Sequence, residues 1–148
     1  MKIKEKIAFV LYMINGLISI IFGLIYLFCD TIMPYHQQAI GRDWTELEPG
    51  LQVLLNGFIK IAASGFFILG ITIFVISIIP FRKGERWAKW FIPALTFLFL
   101  GFGLYIPLKI ALKTQASTPW FGAAAALVIN IIAFSLSGAF SKTKHSDA

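Results

Sequence analysis

The sequence reads as all-α, a four-transmembrane-helix bundle with a short interfacial helix in its first outer loop, and three observations carry that reading. Four apolar runs, over about residues 7–29, 51–80, 90–112 and 119–140, each approach or exceed the roughly 20 residues that cross a bilayer as one helix. Hydrophobic residues make up 58% and charged residues 14% of the 148, with a mean hydropathy of +0.81, well outside the soluble range. All seven acidic residues, Glu5, Asp30, Asp43, Glu46, Glu48, Glu85 and Asp147, fall outside the runs. Residues 1–148 are therefore expected to form a single transmembrane domain, with an outer loop over 30–50.

The basic residues set an orientation. Lys2, Lys4, Lys6, Arg82, Lys83, Arg86, Lys89, Lys142 and Lys144 lie in segments that would share one side, and Arg42, Lys109 and Lys113 lie on the other. Such asymmetry marks cytoplasmic loops, so both termini are expected in the cytoplasm of a bacterial inner membrane, and the net charge of +6 reads as topology with no nucleic-acid partner. Cys29 is the lone cysteine, which excludes an internal disulfide. No metal-ligand spacing, phosphate loop, nucleotide fingerprint or nucleophile triad is present, so neither a metal nor a cofactor is implied.

Along the chain, the first run carries Tyr12, Asn15, Ser19, Gly23, Tyr26 and Asp30 at spacings of three and four. This polar and small face suits close helix packing, and its expected partner is a matching line on the second run. The hexamers NGLISI and NGFIKI, beginning at Asn15 and Asn56, would form an inverted repeat in helices running in opposite directions. In the loop, Pro34 suits a helix start, Gly41 its end, and Thr45 with Glu48 a capping box ahead of Pro49. Ile32, Met33, Tyr35, Ile40 and Trp44 are then free to sit on the bilayer or on the mouth of the bundle as a lid. Trp87 and Trp90 suit an interface belt. Pro93 and Pro107 each remove a backbone donor from the third helix, and Pro107 with Gly101 and Gly103 should loosen its outer half. Gly122 and Ala126 form a small-xxx-small pair for close packing in the fourth.

The candidate site follows from Lys60. Gln52, Asn56, Lys60 and Ser64 share one helical face. A lysine inside a span costs about 2.5 to 3.5 kcal/mol on insertion scales, and no acid lies at its depth. Counted at ~1.5 Å per residue from the outer end, Tyr26, Gln52, Asn56 and Tyr105 fall within about 10 Å and Lys60, Ser19 and Asn130 near ~15 Å. These positions predict an outward-facing polar pocket lined by Lys60, Asn56, Gln52, Tyr26, Tyr105 and Lys109, with Trp44 and the loop above it. Such a pocket suits an amphipathic anion, a lipid headgroup, fatty acid or quinone-like ring. His36 with Asp43 or Glu46 supplies a candidate general acid and base.

The layout of GLIYLFCDTIMPYHQQAIGRDWTELEPGLQVLL, one amphipathic loop between the first two of four short spans, resembles small uncharacterised four-span bacterial membrane proteins, including the DoxX-like proteins. The resemblance covers most of the chain in layout and implies an accessory role beside a quinol-oxidising complex. No residue matches a diagnostic motif, so it assigns no site residue. Three functions are thus expected to compete. One is binding of a lipid-like molecule around Lys60. Another is an accessory or structural subunit, in a homo-oligomer or a membrane complex. The third is an enzyme acting on a lipid or quinone through His36, Asp43 and Glu46.

Overall fold

Five α-helices and no strand make up the described residues, 1–141, of the computed structural model. Lys142, Lys144 and Asp147, which entered the charge argument, lie outside the described residues, as does His145. The helices are α1 (Ile3–Leu27), α2 (Pro34–Ile40), α3 (Pro49–Ile76), α4 (Arg86–Thr114) and α5 (Trp120–Leu136), with a short 3-10 turn at Trp44–Glu46. Three of them, α1, α3 with its extension to Phe81, and α4, are long and apolar enough to cross a membrane. The fourth apolar run yields the 17-residue α5, which ends at Leu136 before Gly138 turns the backbone to φ +73°.

The loop helix begins at Pro34 and ends at Gly41, whose φ of 72° is the left-handed conformation that glycine adopts without strain. The capping box expected at Thr45 and Glu48 does not form. Asp43 caps the 3-10 turn instead, its backbone N–H donating to Glu46 Oε2 at 3.2 Å. Pro49 does occupy the first turn of α3, where its missing N–H leaves nothing unpaired. At the other end of α3, Pro80 removes a donor inside the last turn, and the helix widens into a π turn over Ser77–Phe81. By contrast α4 runs through Pro93 and Pro107 as one helix.

α1 packs along α3 on one side and along α5 on the other, and α5 packs along α4. The helices thus form an arc in the order α3, α1, α5, α4, whose two ends, α3 and α4, touch little. The α1–α3 seam is built on small residues one heptad apart. A Cβ on Gly70 would lie 2.7 Å from the Gly16 carbonyl oxygen, and one on Gly23 would lie 2.8 Å from the Phe67 nitrogen. The backbones are therefore in contact, through Gly16, Gly23, Ala63 and Gly70, rather than through the polar line of α3. The two hexamers are not equivalent: Gly16 sits in this seam, whereas Gly57 faces open space.

The buried core, Ala8, Tyr12, Leu69, Ile73, Phe81, Ala88, Ile92 and Ala133, lies toward the end where α1 begins. That end is bolted by Lys89 Nζ donating to Glu5 Oε1 at 2.6 Å, with the two side chains 10% and 17% exposed. Two amides cross-link the middle. Asn15 Nδ2 donates to the Ala126 carbonyl at 3.1 Å, and Asn130 Nδ2 donates to that of Pro93 at 3.2 Å.

Gly70→Ala is expected to destabilise the fold by about 1 to 3 kcal/mol, because the added methyl meets backbone that has nowhere to move. Gly101→Ala, whose Cβ would meet nothing within 4 Å, should be neutral or mildly stabilising. Chemical denaturation of the two variants in the same detergent measures this, and equal midpoints would contradict the seam.

A candidate ligand cavity under helix α2

The polar line on α3 exists, and every side chain on it donates to backbone, Ser64 Oγ to the Ile61 carbonyl of its own helix at 2.7 Å and the other three to neighbouring segments. Gln52 Nε2 donates to the Trp44 carbonyl at 2.7 Å, and Asn56 Nδ2 to that of Asp30 at 3.0 Å. Lys60 Nζ donates to the carbonyls of Leu27 and Cys29, at 2.5 and 2.6 Å, with Tyr26 O a longer 3.5 Å away. α1 has no basic residue in its own last turn, so the cation that favours the negative end of a helix arrives from α3. All the partners of Lys60 Nζ are main-chain carbonyls at the end of α1. The lysine caps another helix.

That contact fixes a step in the bundle. Lys60 lies ~16 Å along α3 from Pro49 at 1.5 Å per residue, yet it bonds the end of α1, so α1 stops well short of where α3 starts. Residues 28–48 fill the step, anchored by Ile32 and Leu47, 2% and 5% exposed, against Ile59 of α3. Further bonds position α2 across the open end. Trp44 N donates to Gln37 Oε1 at 3.1 Å, and Ser117 N, in the α4–α5 connection, donates to Gln38 Oε1 at 3.0 Å.

Beneath α2 lies a cavity of about 470 Å³ to which α1, α3, α4 and α5 all contribute. Its walls are mainly apolar: Ile18 and Phe22 from α1, Leu55, Phe58, Ile59, Ala62 and Phe66 from α3, Leu100, Phe102, Ile106 and Ile110 from α4, with Gly122, Ala123 and Ala126 from α5. Phe66 meets Phe99 edge-on at 4.9 Å, joining α3 to α4. Away from that contact the cavity is flanked by Phe58, Phe102 and Ile106, each more than half exposed. The roof is Tyr35, His36, Ala39 and Ile40. Polar groups gather there. The Tyr26 and Tyr35 hydroxyls are 2.5 Å apart, the Tyr35 and His36 rings 4.1 Å apart, and His36 Nδ1 accepts from Met33 N at 3.3 Å.

Family models, curated proteins and solved structures offer no match to this chain.

Of the residues expected to line the pocket, the structure brings only Tyr26 to the cavity, together with the loop histidine His36. Gln52, Asn56 and Lys60 are engaged as described, and Trp44 packs beside the buried Ile32, Leu47 and Ile59. Tyr105 is 57% exposed and carries Lys109 Nζ 5.7 Å from its ring centre, a pair outside the cavity. Asp43 and Glu46 line a separate shallow hollow with Arg42, Gln37 and Gln38, so the expected acid–base partners of His36 do not share its surroundings. Gly122 is not a packing residue either, since a Cβ there would meet nothing within 4 Å.

Burial pushes the His36 imidazole below its ordinary value and the Tyr35 phenol well above its own, with the Tyr26 hydroxyl adding to the latter. Both groups are consequently neutral near pH 7. As no metal-type cluster of His, Cys, Asp and Glu occurs among the described residues, what the cavity offers is space, aromatic walls and a few uncharged polar groups at one end.

Two measurements test this description. Lys60→Met leaves the Leu27 and Cys29 carbonyls without their donor, at a cost of about 1 to 3 kcal/mol, and should speed limited proteolysis within residues 28–48, with Lys60→Arg cut more slowly than Met; unchanged cleavage would refute the cap. For His36, the folded state binds fewer protons than the unfolded chain below pH ~6.5. Stability is thus full above that value and falls as pH drops through it. Amide protection of residues 34–41 should decline between about pH 7.5 and pH 5 beyond the intrinsic rate change, and His36→Gln should flatten the decline. A flat wild-type profile would show that the ring is not buried.

Proposed function

We propose that the protein is a four-span membrane bundle that holds a lipid-like amphipathic molecule in the cavity under α2. The observation that carries this reading is the cavity itself, about 470 Å³ of mainly apolar space open between α3 and α4. That volume lies in the lower part of the ~300 to 1,000 Å³ range of small-molecule sites, enough for one chain or ring. A gap between two apolar helices would face acyl chains, so the ligand enters sideways from the bilayer and needs no aqueous route. α2 lies at the interface as a roof, and its Tyr35 and His36 meet the polar end of the ligand.

In this reading α5 is the fourth span, supported by its apolar composition, and both termini lie in the cytoplasm of a bacterial inner membrane, supported by the basic residues near the Glu5–Lys89 bolt. The cavity then opens toward the outer half. The anionic ligand that a lysine-lined pocket would take gives way to one selected by apolar surface, since the Lys60 protons are occupied.

Native mass spectrometry of protein released from bilayer nanodiscs should retain one lipid-sized adduct. Gly122→Phe, whose Cβ would meet nothing within 4 Å and which places a ring at the cavity wall, should reduce that retention at least tenfold while leaving the melting temperature within a few degrees. Equal retention by the filled variant would remove the proposal.

A further inference from the structure

The polar end of the cavity is more selective than its walls. Among the described residues no Lys, Arg, Asp or Glu lines it, and the cation expected there, Lys60, donates to the carbonyls of Leu27 and Cys29. Donors remain. One proton bridges the Tyr26 and Tyr35 oxygens, 2.5 Å apart, and the other hydroxyl proton of the pair has no partner among the described residues. His36 Nδ1 accepts from Met33 N, which assigns the proton of the neutral ring to Nε2. That N–H is likewise without a partner among the described residues.

Tyr26, Tyr35 and His36 all line the polar end of the cavity, so an acceptor on a ligand seated there can take up these donors. A carboxylate or phosphate would have to leave water for an apolar chamber with no counter-charge. An uncharged carbonyl meets the same donors without that cost. We infer that the site selects an uncharged single-chain or ring molecule whose polar end is a carbonyl, seated carbonyl-first against Tyr26, Tyr35 and His36 with its apolar part toward Phe66 and Gly122. The inference rests on the ligand-binding reading above and goes beyond it in naming the head group. An ester and a ring ketone share this chemistry.

The test compares matched probes on the wild-type protein in detergent, by native mass spectrometry titration. One pair is monoolein and 1-O-oleylglycerol, which differ in the ester carbonyl; the other is 2-decylcyclohexanone and its methyl-ether counterpart. Oleate at alkaline pH supplies the charged head. The carbonyl member of at least one pair should bind tenfold tighter or more than its ether, with oleate weaker than monoolein. Which pair discriminates identifies ester or ring. Combining Tyr26→Phe, Tyr35→Phe and His36→Leu should erase the discrimination and leave the ether probes bound. Equal binding of carbonyl and ether in both pairs, or oleate binding as tightly as monoolein, would overturn the inference. If in either case Gly122→Phe still abolished binding, the ligand-binding reading would stand without it. Failure of every probe to bind, with Gly122→Phe changing nothing, would remove both.

Discussion

Three donors spaced one helical turn apart, Gln52, Asn56 and Lys60, hold the carbonyls of Trp44, Asp30, Leu27 and Cys29, and the open half of the molecule depends on them. A chain that leaves a helix short of its neighbour's full height exposes backbone acceptors where water is scarce, and such groups are costly unless met. Here the neighbouring helix meets them with side chains. The connecting segment is thereby tied flat against α3, its apolar residues Ile32 and Leu47 reach Ile59, and α2 is carried across to the α4–α5 connection, where Gln38 secures it. Without the line of donors, α2 would have no fixed place to roof anything.

Small residues are put to two opposite uses. In α1 and α3 they bring backbones into contact, and Gly16, Gly23 and Gly70 could not carry even a methyl group without displacing a neighbour. In α4 and α5, Gly101, Gly103 and Gly122 face nothing within 4 Å, and the absence of side chains there leaves room. The difference arises from the arc. α1 is gripped on two sides by α3 and α5, whereas α3 and α4 touch little, with the Phe66 and Phe99 rings meeting edge-on between them.

Much of the fold was legible. The apolar runs gave the long helices, and Pro34 and Gly41 gave the bounds of α2, because proline and glycine act through local backbone geometry alone. The polar face of α3 was equally legible as a line that must meet protein or water. Its partners were not, because they are main-chain carbonyls, which every residue possesses and no side-chain pattern advertises. The same blindness hid the cavity. Its walls are Phe, Ile, Leu, Ala and Gly, the same residues that fill a packed core, and GAAAALVIN reads identically whether a neighbour presses on it or stands off. His36 was visible as a loop histidine near a pocket mouth, but its separation from Asp43 and Glu46 depends on which way a seven-residue helix turns. The Glu5–Lys89 bolt joins residues 84 apart and left no local trace.

The helices differ in length, and in a bilayer that difference has a mechanical consequence. From Pro49 to Phe81 the third helix runs 33 residues, ~50 Å at 1.5 Å per residue, while the last has 17 and spans ~25 Å. A hydrocarbon layer ~30 Å thick matches neither. In the proposed four-span arrangement the long helix leans, and the lipids beside the short one thin or splay to meet it.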